Sequence, residues 1–345
     1  MLGALLKETE LQKDYLRNER VETIYFGGGT PSLLTIEDLN LQLEKLNQVF
    51  TISTDAEITL EANPDDVDED KLTGWKKIGI NRLSIGVQSF FEEDLLWMNR
   101  AHHAQQAIDN LQSASKQFAN ITIDLIYGHP LLTNEKWRQN VEQVISLNIP
   151  HISCYALTVE PKTPLQKLIL EKKKENIQQE KQAEHFLLLM QWLQDAGYEH
   201  YEISNFSKPG FHSRHNTSYW QAKNYLGLGP SAHSFDGKSR QWNISNNNIY
   251  IESVSKNEIP FEKEILTPVQ QLNEYIMTSL RTKEGLNLER VRSSAFRVQS
   301  KDLEIRSQKF INEGKMFLRE NKLILTKEGK LFADGIAADL FIDAV

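Results

Sequence analysis

Between residues 21 and 157 one unit recurs five times: a short β-branched or apolar run, a polar turn, then a segment of helical period. Val21–Phe26, Glu57–Glu61, Asn81–Val87, Ile121–Tyr127 and His151–Leu157 read as strands. Between them, Thr35 to about Phe50, Asp68–Ile78, Glu92–Asn99, Ala104–Phe118 and Glu135–Leu147 read as helices, with Thr35 as an N-cap and Gly79 as a stop. Strands that alternate with helices pair in parallel, because each crossover returns the chain in the same direction. The fold expected is therefore α/β, as a parallel (β/α) barrel or an open doubly wound sheet. Leu2–Arg17 reads as a helix with no strand ahead of it, which implies a barrel missing its first strand.

Composition narrows the function classes. The 345 residues are 40% hydrophobic and can bury a large core. No run approaches the roughly 18 apolar residues of a membrane span, and Met1–Leu6 leads straight into Lys7 and Glu8, so the expectation is a cytoplasmic protein without a secretion signal. A net charge of −8 opposes general attraction to nucleic acid or anionic lipid. Cys154 is the single cysteine, too few for an internal disulfide and too few to hold an iron–sulfur cluster alone.

Polar groups recur at the carboxyl ends of the successive strands: the Gly27–Thr30 turn, Glu61, Gln88, Asp124 and Tyr155. Singly, each is as well explained by a cap or a turn. Five in phase point to a site, because parallel α/β folds bring those ends to one mouth. The Gly27-Gly28-Gly29-Thr30-Pro31-Ser32 segment lacks the Gly-Lys-Ser/Thr of a Walker loop and the spacing of a dinucleotide fingerprint. Its glycines offer bare backbone to a charged ligand. Arg100 could clasp a carboxylate through two parallel hydrogen bonds. With Glu61, Gln88 and Asp124, this set suits an amino-acid headgroup plus a ribose.

In the second half, Glu171–Ala196 reads as a long amphipathic helix whose Lys172-Lys173-Lys174 run faces solvent. Gln241–Asn257, with its Ser245-Asn246-Asn247-Asn248 tract, reads as a weakly structured connector. From about Ile265 helices precede a hairpin-like pair, Lys315–Arg319 and Lys322–Thr326, in winged-helix order. Residues 265–345 carry 13 Lys and Arg against 11 Asp and Glu, too even a balance for a nucleic-acid face. The domains expected are 1–240, a connector at 241–264, and a small winged-helix-like α+β domain at 265–345.

Several motifs carry a family resemblance over nearly the whole chain. GGGTPS, Glu61-Ala62-Asn63-Pro64, the Asn81–Ser89 run NRLSIGVQS, Asn99-Arg100-Ala101-His102 and Asp124–Gly128 resemble the radical S-adenosylmethionine (SAM) family of oxygen-independent coproporphyrinogen III oxidases. Tyr201–Phe206 (YEISNF), His215–Trp220 (HNTSYW) and Tyr225–Ser234 (YLGLGPSAHS) resemble its haem chaperone branch. The resemblance implies SAM contacts at Gly28, Gly29, Thr30, Glu61, Gln88, Arg100, Asp124 and Ala156. It also implies a haem site at His215, with Tyr219 and Trp220 as flat apolar neighbours, and His212 and His233 as rival ligands.

The implied role is to bind haem and deliver it to acceptor haemoproteins such as respiratory-chain components. Two alternatives are a porphyrinogen-decarboxylating oxidase and a non-catalytic haem or SAM sensor. In the family, a Cys-x3-Cys-x2-Cys loop after the first strand holds a [4Fe–4S] cluster, and this sequence has neither strand nor loop. Either Met1 is an internal methionine of a longer chain, or the protein is a cluster-free relative; the resemblance alone leaves the enzyme question open.

Overall fold

All five expected strands form. The computed structural model describes residues 1–292 and 299–342. In it β1 (Val21–Phe26), β2 (Ile52–Ala62), β3 (Arg82–Gln88), β4 (Asn120–Tyr127) and β5 (His151–Ala156) share a sheet with β6 (Glu199–Glu202) and β7 (Asn205–Ser207), in the order β1-β2-β3-β4-β5-β7-β6. β2 to β5 pair in parallel, and β7 pairs antiparallel with β5 and β6. This is the partial α/β barrel expected. The chain divides into two compact units: Phe26–Leu33 with Thr59–His212, and Met1–Tyr25 with Leu34–Ile58 and Ser213–Val345.

In the first of these units the helices form where apolar spacing and caps agree. The Asp68 carboxylate accepts the Lys71 N–H at 2.7 Å to open helix Glu69–Lys77, and Thr133 does the same for Lys136 at the start of Asn134–Ser146. Leu72 with Trp75, and Trp137 with Val141 and Val144, recur at helical spacing and are fully buried. The strands bury an apolar row of their own, Ala62, Ile85, Ile123, Ile152 and Phe206, in register across neighbouring strands. Period-2 alternation then commits Glu61, Ser84, Thr122 and His151 to the other face.

The long helix expected over Glu171–Ala196 starts later. Pro164–Leu170 is a separate helix, the chain turns with Lys172 at φ 57°, and the second helix spans Gln179–Asp195. Lys174 is also not a solvated face residue. Its ammonium lies 4.4 Å from the centre of the Trp97 ring and donates to the Trp97 carbonyl, whereas Lys172 and Lys173 stay exposed as expected.

In the other unit, helix Leu2–Leu11 is shorter than the sequence suggested, ending before Arg17 and Asn18 enter the left-handed region. It is fixed by a buried carboxylate. Glu8 accepts hydrogen bonds from the Gly229 N–H (2.7 Å), Asn243 Nδ2 (2.6 Å) and the Tyr250 hydroxyl, and burial raises its pKa above the ordinary carboxylate range. The polar stretch after Gln241 is ordered as well. β8 (His233–Phe235), β9 (Ser239–Asn243) and β10 (Phe261–Ile265) form an antiparallel sheet, with helix Asn247–Ser255 between the last two. The asparagine tract that reads as loosely structured is this helix's cap, with the Asn246 side chain accepting from the N–H groups of Asn248 and Ile249.

β11 (Leu286–Asn287), β12 (Met316–Arg319) and β13 (Lys322–Leu325) form the winged-helix-like sheet in the order β11-β13-β12. The two-residue loop Glu320-Asn321 has φ of 50° and 61°, the left-handed pair that matches hairpin twist. No helix among the described residues is long and apolar enough to cross a membrane.

Because Glu8→Ala leaves the buried Gly229 N–H and Tyr250 hydroxyl without an acceptor and removes one of the two held by Asn243 Nδ2, it should lower unfolding free energy by about 3 kcal/mol in urea denaturation. A loss below about 1 kcal/mol would mean that water replaces the carboxylate.

Candidate functional site

The mouth of the partial barrel is built first by backbone. Gly28 and Gly29 have φ of 74° and 84°, where a side chain is strained, and the space into which a Cβ would project is open at both. The Gly28 N–H donates to Glu61 Oε2 at 3.2 Å, so the glycine turn after β1 and the end of β2 meet. Gln88 is buried with φ of 69°, at an irregularity in the β3–β4 pairing, and its amide folds over Gly86. A non-glycine residue held there is strained, a cost commonly tolerated at sites. Ser89, next in the chain, donates to Asp94 Oδ2 at 2.8 Å and pins that strand end.

Asp94 also fixes the approach to Arg100. Burial raises its pKa, but the His129 ring 3.6 Å away and hydrogen bonds from Ser89 and Lys136 outweigh this and hold its carboxyl below the ordinary range. Its own helix, Glu92–Trp97, ends with Asn99 at φ 57° and the Arg100 N–H bonded to the Leu95 carbonyl. Partial desolvation lowers the Arg100 pKa and the Asp124 charge opposes it, so these two groups are coupled. Asp124, on β4, is pushed up to about 7, chiefly by burial, with the Glu61 charge adding to the rise. Ala156 closes β5 with only its backbone to offer, its carbonyl 3.4 Å from Thr158 Oγ1. Tyr155 is exposed at the same strand end.

Behind this mouth lies a polar network that the sequence reading did not single out. Thr122 Oγ1 is 2.6 Å from His151 Nδ1, His151 Nε2 is 2.7 Å from the Tyr201 hydroxyl, and Ser153 donates to Asn205 Oδ1 at 2.7 Å. Burial, then the charge of buried Arg82, keep His151 neutral, its pKa well below the usual imidazole value. The signal was available. Polar residues alternate with apolar ones at period 2 in β4, β5 and β7, a pattern that strand ends alone do not reveal.

The second candidate group sits on helix Arg214–Trp220. Ser213 caps it, and Glu57, buried on β2, accepts from the N–H groups of Arg214 (3.2 Å) and His215 (3.0 Å). The segment is helical, so His215 and Tyr219 share a face, with their rings edge to face at 4.9 Å. His215 also stacks on Tyr25 at 4.6 Å, and its Nδ1 is 3.1 Å from Thr23 Oγ1. Trp220 is half-buried, and its indole N–H is buried without an acceptor among the described residues. The rival histidines are engaged differently: His212 pairs with Glu199 at 3.2 Å and stacks on Tyr201, whereas His233 is exposed beside Trp242.

The radical SAM superfamily profile matches residues 6–144. The haem chaperone HemW of Bacillus subtilis is 32% identical over 92% of this chain and 84% of its own length, and that of Mycobacterium tuberculosis is 30% identical over 98% and 85%. The chain belongs to the HemW branch of the radical SAM superfamily. The solved structure of Escherichia coli coproporphyrinogen III oxidase, HemN, described as a radical SAM enzyme, shares the fold. Its TM-score is 0.83 at 22% identity, over 99% of this chain and 82% of that one.

Membership in the family implies SAM and a [4Fe–4S] cluster, and the residues present answer differently to each. Open glycine backbone after β1, two neighbouring carboxylates from β2 and β4, and an arginine from the turn after helix Glu92–Trp97 fit an amino-acid headgroup with a ribose. A cluster takes three or four thiolates. This chain supplies one thiol, Cys154, buried in β5 with burial raising its pKa well above the usual thiol value. Its residues do not fit the cluster.

A carboxyl whose pKa is raised on folding contributes stability that is full below its unfolded value, near 3.8, and lost as pH rises through about 7. Asp124→Asn should therefore melt higher than the parent at pH 8, by roughly 5 °C, and show no such gain at pH 4. A pH-independent difference in thermal denaturation would refute a buried carboxylate as the cause.

Proposed function

We propose that this chain is a cytoplasmic haem chaperone: it binds haem at His215, flanked by Tyr219 and Trp220, and hands it to acceptor haemoproteins, respiratory-chain components among them. The observation that carries the proposal is the orientation of the His215 ring. A metal-ligating histidine characteristically donates its second ring nitrogen to a fixed acceptor, which sets tautomer and direction. Here Thr23 Oγ1 lies 3.1 Å from Nδ1, so in the ligating tautomer Nδ1–H donates to Thr23 and Nε2 takes the iron. Tyr25 stacks on the ring and Tyr219 meets it edge to face, restricting its rotation. The names of the HemW relatives add support, since each is called a haem chaperone.

SAM is the proposed second ligand, held by Gly28, Gly29, Thr30, Glu61, Gln88, Arg100, Asp124 and the Ala156 backbone. In this arrangement Arg100 pairs the ligand's carboxylate, and Glu61 or Asp124 accepts from amine or ribose hydroxyls. A ligand amine would also favour the ionised form of Asp124 by direct charge pairing.

Haemin titration tests the first part. The parent should give a sharpened, shifted Soret band, His215→Ala should lose the shift and weaken binding at least tenfold, and His212→Ala and His233→Ala should behave as the parent. Identical spectra for all four proteins would overturn the assignment. For the second part, equilibrium dialysis with labelled SAM should show retention by the parent and at least tenfold weaker retention by Arg100→Ala, the scale expected for losing a charge-assisted bidentate pair. Equal retention would remove Arg100 from the site.

A further inference from the structure

Tyr219 does not end at His215. Its ring also stands edge to face on Tyr225 at 4.8 Å, and Tyr225 is 6.1 Å from Phe235, so aromatic rings run from Tyr25 through His215 into the Ser213–Val345 region. At the far side of Tyr219 lies a cavity of about 380 Å³, within the size range of small-ligand pockets. Its walls are aromatic: Tyr219, Trp220, Tyr225, Phe235 and Tyr275. Its polar end is charged. Arg240 forks onto Glu274 (2.7 and 2.8 Å) and reaches the Tyr225 hydroxyl at 3.2 Å, and the Arg290 guanidinium lies 4.4 Å from the centre of the Tyr275 ring.

The lining thus brings the Arg240–Glu274 fork and the Arg290 guanidinium, stacked on Tyr275, among flat apolar faces. That combination selects a planar aromatic ligand with at least one carboxylate, because guanidinium matches carboxylate geometry and aromatic walls match a flat π-system. We propose that this cavity is a subsite for the carboxylate-bearing edge of a planar tetrapyrrole. The proposal rests on the haem reading above and adds the residues that would recognise the macrocycle's acid groups, Arg240 and Arg290. The Arg240–Glu274 pair is no obstacle. The fork is bidentate and both side chains are partly solvent-exposed, 33% and 27%, so a ligand carboxylate that takes Arg240 exchanges one charge-assisted fork for another while Glu274 turns to water.

Three probes separate the parts of this idea: haemin, metal-free protoporphyrin IX, and protoporphyrin IX dimethyl ester, whose acid groups are masked. The parent should bind the free acid about tenfold more tightly than the ester, the scale of one charge-assisted contact. Arg240→Gln and Arg290→Gln should each bring that ratio toward one while leaving the melting temperature within a few degrees of the parent. His215→Ala should keep the ratio while losing the haemin Soret shift. Equal binding of acid and ester by the parent, no porphyrin binding, or a ratio untouched by both arginine variants would overturn the subsite. A persistent acid preference with no His215-dependent Soret shift would instead overturn iron ligation and leave the subsite standing.

Discussion

Strand register is the constraint on which the candidate site depends. Glu61, Ser84, Thr122 and His151 stand side by side across four parallel strands, and Asp124, Ser153 and Asn205 form a second row. Because side chains alternate faces along a strand, a slip of one residue in any pair would exchange these groups for Leu60, Leu83, Ile121 or Ile152. The apolar row on the opposite face prevents the slip, since it would carry Ile85 and Ile123 out of the core. Core packing and site geometry are thus one specification written on alternate residues. It also explains why a neutral His151 and a proton-binding Asp124 coexist there: His151 is sealed from water, whereas Asp124, part-exposed on β4, is pushed up by desolvation and by the Glu61 charge.

Much of this was legible from residue order. The five strands and the cap at Thr35 follow from periodicity and capping chemistry, and the rule that parallel strands gather their carboxyl ends singles out Gly28, Glu61, Gln88 and Asp124 as candidates. What was not legible depended on contacts between distant residues. Lys172-Lys173-Lys174 looks like helix surface until Trp97, more than seventy residues away, supplies an aromatic face for Lys174. The Asn246 tract reads as loop because asparagine favours both turns and helix caps, and only the helix that follows decides between them. The Arg240–Glu274 fork joins residues 34 apart whose pairing no local pattern announces.

The His215 segment illustrates how a short helix acquires a defined side-chain direction. Seven residues are too few to be stable alone, and its first turn is held by Ser213 and by the buried carboxylate of Glu57. Tyr25 and Thr23 on β1 then act on the imidazole itself, one through its face and one through its edge. Orientation is therefore imposed from outside the helix, and the position of Tyr219 one turn later follows from helical geometry.

The burial of Cys154 has a practical corollary. A thiol enclosed in β5, disfavoured as thiolate, is shielded from alkylating reagents while the sheet is closed, and it reacts once β5 is exposed. As the sole cysteine of the chain, it makes the rate of thiol labelling under native conditions a direct clock for the opening of the strand that carries Ser153 and Ala156.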